Sequence, residues 1–385
     1  MAVIKKHKKK EEVVVVERKK QTSSQEIQDL EYEIANTKYN KATENAIGLL
    51  KAKLARLKDK QIEQVQKSKS KSGVAYSVRK TGDGTVIIIG FPSVGKSTIL
   101  NALTGSKSEV AAYEFTTLDV VPGALNYKHA QIQVLDVPGI VHGAAAGTGR
   151  GTEVLSVIRS ADLVLFVVDA TRPQHYEAIL KEVYDSGIRV DQRKPDVKIV
   201  KKAKDGLKIG ATVKLTKINI DIVKSIMKEF KINNADIVIR TDISVEQFID
   251  AIEGNKKYLP SIKIINKIDL VSKEQLEKLK LIVKPQLCIN ANDKNYTDEL
   301  KELIYQKLGI ISVYCKEVSK KADKEVPLIL FKNATIEDMC NKLHREFVSK
   351  FKFAKVWGPS AKFDGQVLML KHILKDGDVV ELHVR

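Results

Sequence analysis

Along the chain the hydrophobic rhythm changes repeatedly, and each change predicts a different kind of structure. Ser23 and Glu26 form a capping box, after which Ile27, Leu30 and Ile34 fall three and four apart on one helix face. A second helix is predicted over 42–65, with Ile47, Leu50, Leu54 and Leu57 on one stripe and Lys51, Lys53, Arg56, Lys58 and Lys60 mostly off it. Joined through residues 37–40, the two read as a helical hairpin or helix-turn-helix whose stripe packs on its neighbour, and 68–73 reads as a linker. Short apolar runs then appear at 86–89, 131–135, 163–168 and 262–265, alternating with helix-compatible stretches such as 98–103. That pattern predicts an α/β sheet with crossovers, whose ligand loops sit at the strand ends.

The gap between the third and fourth runs is longer than one crossover needs. Residues 188–245 carry strand patterns at 197–200 and 210–215 and helical stretches at 221–230 and 245–252, which predicts a small α+β insertion. After Gly309, strands at 311–314, 327–331 and 379–384 flank one helix over 336–347 with Thr335 as its N-cap, a β-grasp-like module. The domain reading is therefore a basic disordered arm at 1–22, a helix-turn-helix at 23–73, a nucleotide domain at 74–187 and 246–310, the insertion at 188–245, and the module at 311–385.

Residues 90–97, Gly-Phe-Pro-Ser-Val-Gly-Lys-Ser, make a complete G-x-x-x-x-G-K-S phosphate loop between a predicted strand and a predicted helix. Gly90 and Gly95 let backbone N–H groups turn inward to cradle phosphate oxygens, and Phe91, Pro92, Ser93, Val94, Gly95 and Thr98 are read as nucleotide-binding with Lys96 and Ser97. Lys96 can reach the outer phosphates and the Ser97 hydroxyl can ligate Mg²⁺. Asp136 and Gly139 frame a D-x-x-G turn after the second apolar run, suited to holding Mg²⁺ through water and sensing a γ-phosphate. Asn266-Lys267-Ile268-Asp269 closes the fourth run. Asp269 can accept from the N1–H and exocyclic amine of guanine, whereas adenine offers an acceptor at N1, so the motif selects GTP and GDP. Lys267 can lay its stem along the base, and Asn266 can tie this loop to the phosphate loop. Residues 113–117 supply hydroxyls for a first switch loop, and the Gly-rich run 143–151 reads as a second.

Composition narrows the setting. No apolar run approaches the length of a membrane span, and the N-terminus lacks a signal peptide's apolar segment. Cys288, Cys315 and Cys340 are isolated, which fits a reducing cytoplasm rather than a disulfide or zinc framework. The net charge is +18, and residues 1–80 hold 20 Lys or Arg against 10 Asp or Glu. That bias favours a polyanion such as RNA, and without insertion residues or a lipidation signal no stable membrane association is expected.

These residues resemble the developmentally regulated GTP-binding proteins, Obg-related GTPases of archaeal and eukaryotic type. The resemblance is carried by 40–44 with 48–54, by 90–98, by Tyr113-Glu-Phe-Thr-Thr-Leu118, by Asp136-Val-Pro-Gly-Ile140, by 149–151, by 266–269, and by Phe351-Lys-Phe-Ala-Lys-Val-Trp-Gly358. It implies a Ras-like P-loop GTPase core, an N-terminal helix-turn-helix, a ribosomal-protein-S5-like insertion and a C-terminal TGS domain. It implies GTP hydrolysis in a ribosome- or rRNA-associated role in translation, with a stabilising protein partner. Thr117, rather than Thr116, is the Mg²⁺ ligand it points to, beside Ser97, and Lys96 and Thr117 are the catalytic residues it implies. It also implies that the Ala291 N–H meets the guanine O6, here from Asn290-Ala291 where relatives read Ser-Ala.

Departures from the pattern matter for rate. Ile140 stands where Ras-like GTPases carry a glutamine that orients the attacking water, so hydrolysis is expected to be slow without a partner or ribosome. Related GTPases hold K⁺ partly through an Asn in the phosphate loop; Ser93 is a weaker ligand at that position. His142 replaces a usual Glu and reads as a solvated substitution. The alternatives are a nucleotide-dependent RNA- or protein-binding factor with negligible hydrolysis, and a P-loop kinase or ATPase, which would need neither guanine loop nor TGS-like tail.

Overall fold

The structure, a computed structural model, describes residues 25–38, 40, 43–70, 82–105, 121–137, 157–293, 295–320, 322 and 324–384, and of residues 61–70 and 121 the backbone only. The predicted basic arm, the residues 71–73 of the predicted linker, the loop with Thr117, and the run from Gly139 through Ile140 and His142 to Gly151 lie outside the described residues.

In chain order, helix α1 covers 25–36 and α2 Glu44–Ser70, followed by β1 Gly84–Ile89, α3 Lys96–Thr104, β2 Val121–Tyr127 and β3 Ala130–Asp136. A helical turn α4 at 157–160 leads to β4 Leu163–Asp169, α5 Gln174–Asp185 and β5 Ile188–Val190. Then come β6 Val197–Lys201, β7 Leu207–Ala211, α6 Ile220–Glu229, β8 Ala235–Ile239 and α7 Val245–Glu253. The chain continues through β9 Lys257–Leu259, β10 Ser261–Asn266, α8 Lys273–Val283, β11 Leu287–Cys288 and α9 Thr297–Leu308. Last are β12 Ile310–Lys316, β13 Leu328–Phe331, α10 Ile336–Leu343, α11 Glu346–Ser349, β14 Phe351–Trp357, β15 Gln366–Leu368 and β16 Val379–Val384.

These elements form two compact units, one joining Met1–Ala75 with Arg193–Lys256 and the other joining Tyr76–Gln192 with Lys257–Arg385. The second is built on a six-stranded sheet in the order β11-β10-β4-β1-β3-β2, parallel except for the antiparallel edge strand β2. Every residue of β1 is buried, because both faces of the sheet are covered. Val86 and Ile88 join Leu100 and Leu103 of α3 and Leu300 and Ile304 of α9 on one side. Ile87 and Ile89 join Ile179 and Val183 of α5 on the other. The same unit carries a five-stranded sheet, β13-β12-β16-β14-β15, with Ile336, Met339 and Cys340 of α10 packed in its core. Thr335 caps α10 in a capping box with Asp338. The predicted helix over 336–347 is corrected, however: it ends at Leu343, where His344 turns to extended backbone, and α11 follows separately.

The first unit pairs the sheet β6-β8-β7 with α6 and α7. Its extent corrects the reading of 188–245 as the insertion. Phe248 and Ile249 of α7 are buried with Ile222, Ile226 and Ile237, so α7 belongs to this core. Ile188, Arg189 and Val190 instead pair in parallel with Lys257, Tyr258 and Leu259 in the other unit. The strand predicted at 210–215 runs over Leu207–Ala211, in register with β8. Helix α2 also packs on the insertion: Ala52 is fully buried in its core, while of the predicted stripe Ile47 is buried and Leu50, Leu54 and Leu57 are partly buried. A Cβ on Gly48 would come 3.1 Å from Ile222, so small residues let α2 approach α6 closely. Lys51 pairs with Glu246 of α7, and Arg56 pairs with Glu229 of α6 at 3.1 Å.

Candidate functional site

The site grows from the carboxyl ends of neighbouring strands, the position where open α/β sheets gather ligand loops. β1 delivers Gly90, and the loop turns twice through left-handed backbone, at Ser93 (φ 61°) and Gly95 (φ 96°), before α3 begins at Lys96. A Cβ at Gly90 would lie 2.7 Å from the Val167 carbonyl, so that position admits only glycine without rearrangement. Pro92, Ser93, Ser97 and Thr98 are exposed, and Val94 is buried beneath them. Phe91 stacks on His175 at 4.0 Å between ring centroids.

Lys96 is 8% exposed, and its ammonium donates to the carbonyls of Gly90 at 3.2 Å and Phe91 at 3.1 Å. Burial pulls its pKa below the usual lysine value, and Asp136 partly offsets that. Asp136 ends β3 in register with Ile88 of β1. Its Oδ2 accepts a 2.7 Å hydrogen bond from Ser97 Oγ, and its Oδ1 is buried with no hydrogen-bond partner among the described residues. A buried orphan carboxylate oxygen beside a hydroxyl is the hard oxygen donor set that Mg²⁺ takes, so these residues fit the ion. Thr117 and Gly139, the other residues assigned to the metal and γ-phosphate, lie outside the described residues.

Asn266 joins three segments. It ends β10, is 2% exposed, donates from Nδ2 to the Val94 carbonyl at 2.7 Å, and accepts at Oδ1 from the Ala291 N–H at 2.9 Å. The tie between guanine and phosphate loops is therefore present. The Ala291 N–H, expected to meet the guanine O6, donates to Asn266 Oδ1 in this structure. Tyr296 donates to the Ala291 carbonyl at 3.3 Å.

Lys267 adopts left-handed backbone (φ 62°), and its ammonium lies 2.8 Å from Asp169 Oδ2. Asp169 is buried, and its Oδ1 accepts from the Thr171 N–H at 2.9 Å and hydroxyl at 2.7 Å. Burial alone would raise its pKa, but the bonds from Lys267 and Thr171 outweigh it and hold the carboxyl below its ordinary value. Asp269 follows in a 3₁₀ turn, exposed, with no ion pair or hydrogen bond among the described residues. Asp169 and Thr171 escaped the sequence reading because neither belongs to a spaced motif. The available signal was a carboxylate closing a buried apolar strand.

A parallel sheet whose strand ends bring together a phosphate loop, an acidic metal-side residue and an Asn-Lys-x-Asp loop defines a P-loop GTPase, here followed by a β-grasp module. Residues 85–202 match the family described as 50S ribosome-binding GTPase, 204–310 the C-terminal region of that domain, and 311–384 the TGS domain. The chain is 50% identical over 366 residues to an uncharacterized GTP-binding protein of Methanocaldococcus jannaschii, covering 94% of this chain and 93% of that one. It is 43% identical to a similar uncharacterized protein of Halobacterium salinarum, covering 94% and 99%. It is 41% identical to developmentally-regulated GTP-binding protein 2 of Homo sapiens, covering 93% and 98%. The chain belongs to the developmentally regulated GTP-binding protein family of P-loop GTPases.

Proposed function

We propose that this GTP-binding protein hydrolyses GTP to GDP and phosphate as a ribosome- or RNA-associated switch in the cytoplasm. The observation that supports this most is the Asn266 side chain, which fixes the phosphate loop to both guanine-side loops through Val94 and Ala291. In this reading Asp269 selects guanine, Lys267 lines the base, and Lys96 leaves its carbonyl partners to neutralise charge on the outer phosphates. Ser97 and Thr117 hold Mg²⁺, with Asp136 behind them, and the ion neutralises β- and γ-phosphate charge when bound. Gly139 and the loop around Thr117 respond to the γ-phosphate. K⁺ is a candidate second ion, with Ser93 a weak ligand for it.

The ribosomal part rests on the +18 charge and on the match to a family of 50S ribosome-binding GTPases. Ile140 offers no water-orienting amide, so a ribosome or a stabilising protein partner would supply that function. Ribosome co-sedimentation with GDP or a non-hydrolysable GTP analogue, across a salt series, tests this. Nucleotide-dependent binding that weakens steeply with salt is expected; salt-insensitive or absent binding contradicts it. Ile140 also favours a second reading, a binding factor with negligible hydrolysis. Single-turnover rates flat with and without K⁺ and ribosomes would select that reading.

A further inference from the structure

We propose that Asp169 is a positioning residue for guanine recognition, holding Lys267 in a preformed rail against which the base docks. The inference rests on reading Lys267 and Asp269 as the base-side residues. Asp169 closes β4, the strand lying between the phosphate-loop strand β1 and the guanine-loop strand β10. Asp169 and Asn266 are register partners, and the Ala170 N–H donates to the Asn266 carbonyl at 3.0 Å, so the two strand ends are fixed side by side.

The carboxylate itself has little freedom. Its side chain is 6% exposed, and Thr171 occupies Oδ1 with two bonds, which leaves Oδ2 directed at the Lys267 ammonium. Lys267 is held at both ends: its backbone sits in a left-handed conformation unusual for a side-chain-bearing residue, and its Nζ is tied to Asp169. A lysine side chain otherwise samples many rotamers, and ordering them on binding opposes affinity. Fixing the stem beforehand removes that cost, a preorganisation that shows mainly in the dissociation rate. The hydrogen bonds that keep Asp169 ionised keep the tie charged at neutral pH. Asp269, carrying no such restraint, reads the base edge independently.

The test is dissociation of GDP and of inosine diphosphate, which lacks the exocyclic amine, from the full chain. Asp169→Asn should release both nucleotides about tenfold faster by the same factor, so their ratio survives. The double variant Asp169→Asn/Lys267→Met should release GDP no faster than the faster single variant. Thr171→Val, at an exposed position, should give a smaller acceleration with the same ratio and serves if Asp169→Asn folds poorly. A merely structural role would disturb the whole loop and also collapse the GDP-to-IDP ratio, because the Asp269 contact would go with it. Unchanged release in Asp169→Asn and Thr171→Val while Lys267→Met accelerates it, or multiplicative effects in the double variant, would overturn the inference alone. No effect of Lys267→Met would overturn the base-side reading as well.

Discussion

Ser97 Oγ donates to Asp136 Oδ2 across 2.7 Å, linking the first turn of α3 to the end of β3. The hydroxyl and the orphaned Asp136 Oδ1 are the two described groups suited to Mg²⁺. Ser97→Ala should therefore weaken GTP binding on the order of tenfold or more in Mg²⁺ and much less in EDTA. Equal losses in both buffers would show that the hydroxyl serves only the Asp136 contact.

Gly95 carries a second prediction. Its φ is 96°, and a Cβ there would lie 2.4 Å from Asn266 Nδ2. Gly95→Ala should cost roughly 2 kcal/mol or more of stability and break the link between phosphate and guanine loops. Thermal unfolding read with and without GDP checks both: a lower melting temperature and a reduced shift on adding GDP are expected, and a normal GDP shift would contradict the second part.

In the insertion unit, Glu253 gives a pH prediction. Burial raises its pKa to about 7, opposed by Lys256 and reinforced by Asp59 and Asp250. The native state then holds a proton that the unfolded chain releases near the ordinary carboxyl value of 4.5, so stability falls as pH rises from there through about 7. Glu253→Gln should raise the melting temperature at pH 8 and change it little at pH 5. An equal effect at both pH values would contradict the assignment.

Much of this was legible in the sequence because apolar runs and motifs coincide. The run 86–89 reads as a short buried strand and is β1, and Asn266 joins the two loops that its motif implied. What was missed lacks local contrast. β2 contains Pro122 and Gly123, and its place is set by pairing with β3 rather than by alternation. α8 buries only Leu279 and Val283, with Leu281 and Ile282 facing solvent, so its periodicity is faint. The insertion's boundary was drawn at 245, ahead of most of α7, because its sequence shows an apolar face but not where that core ends; Phe248 and Ile249 are buried with residues of α6 and β8. The acceptor that the Ala291 N–H meets here was illegible for the same reason, since it is a side chain 25 residues away.

Guanine selection by the exposed Asp269 is the central claim, and competition among purine triphosphates measures it directly. The wild-type chain should prefer GTP to ATP by several orders of magnitude. Asp269→Asn should move that preference to xanthosine triphosphate, whose carbonyl replaces the guanine amine and accepts from the new amide. Equal affinity of the wild type for ATP and GTP, or an Asp269→Asn variant still preferring GTP to xanthosine triphosphate, would contradict it.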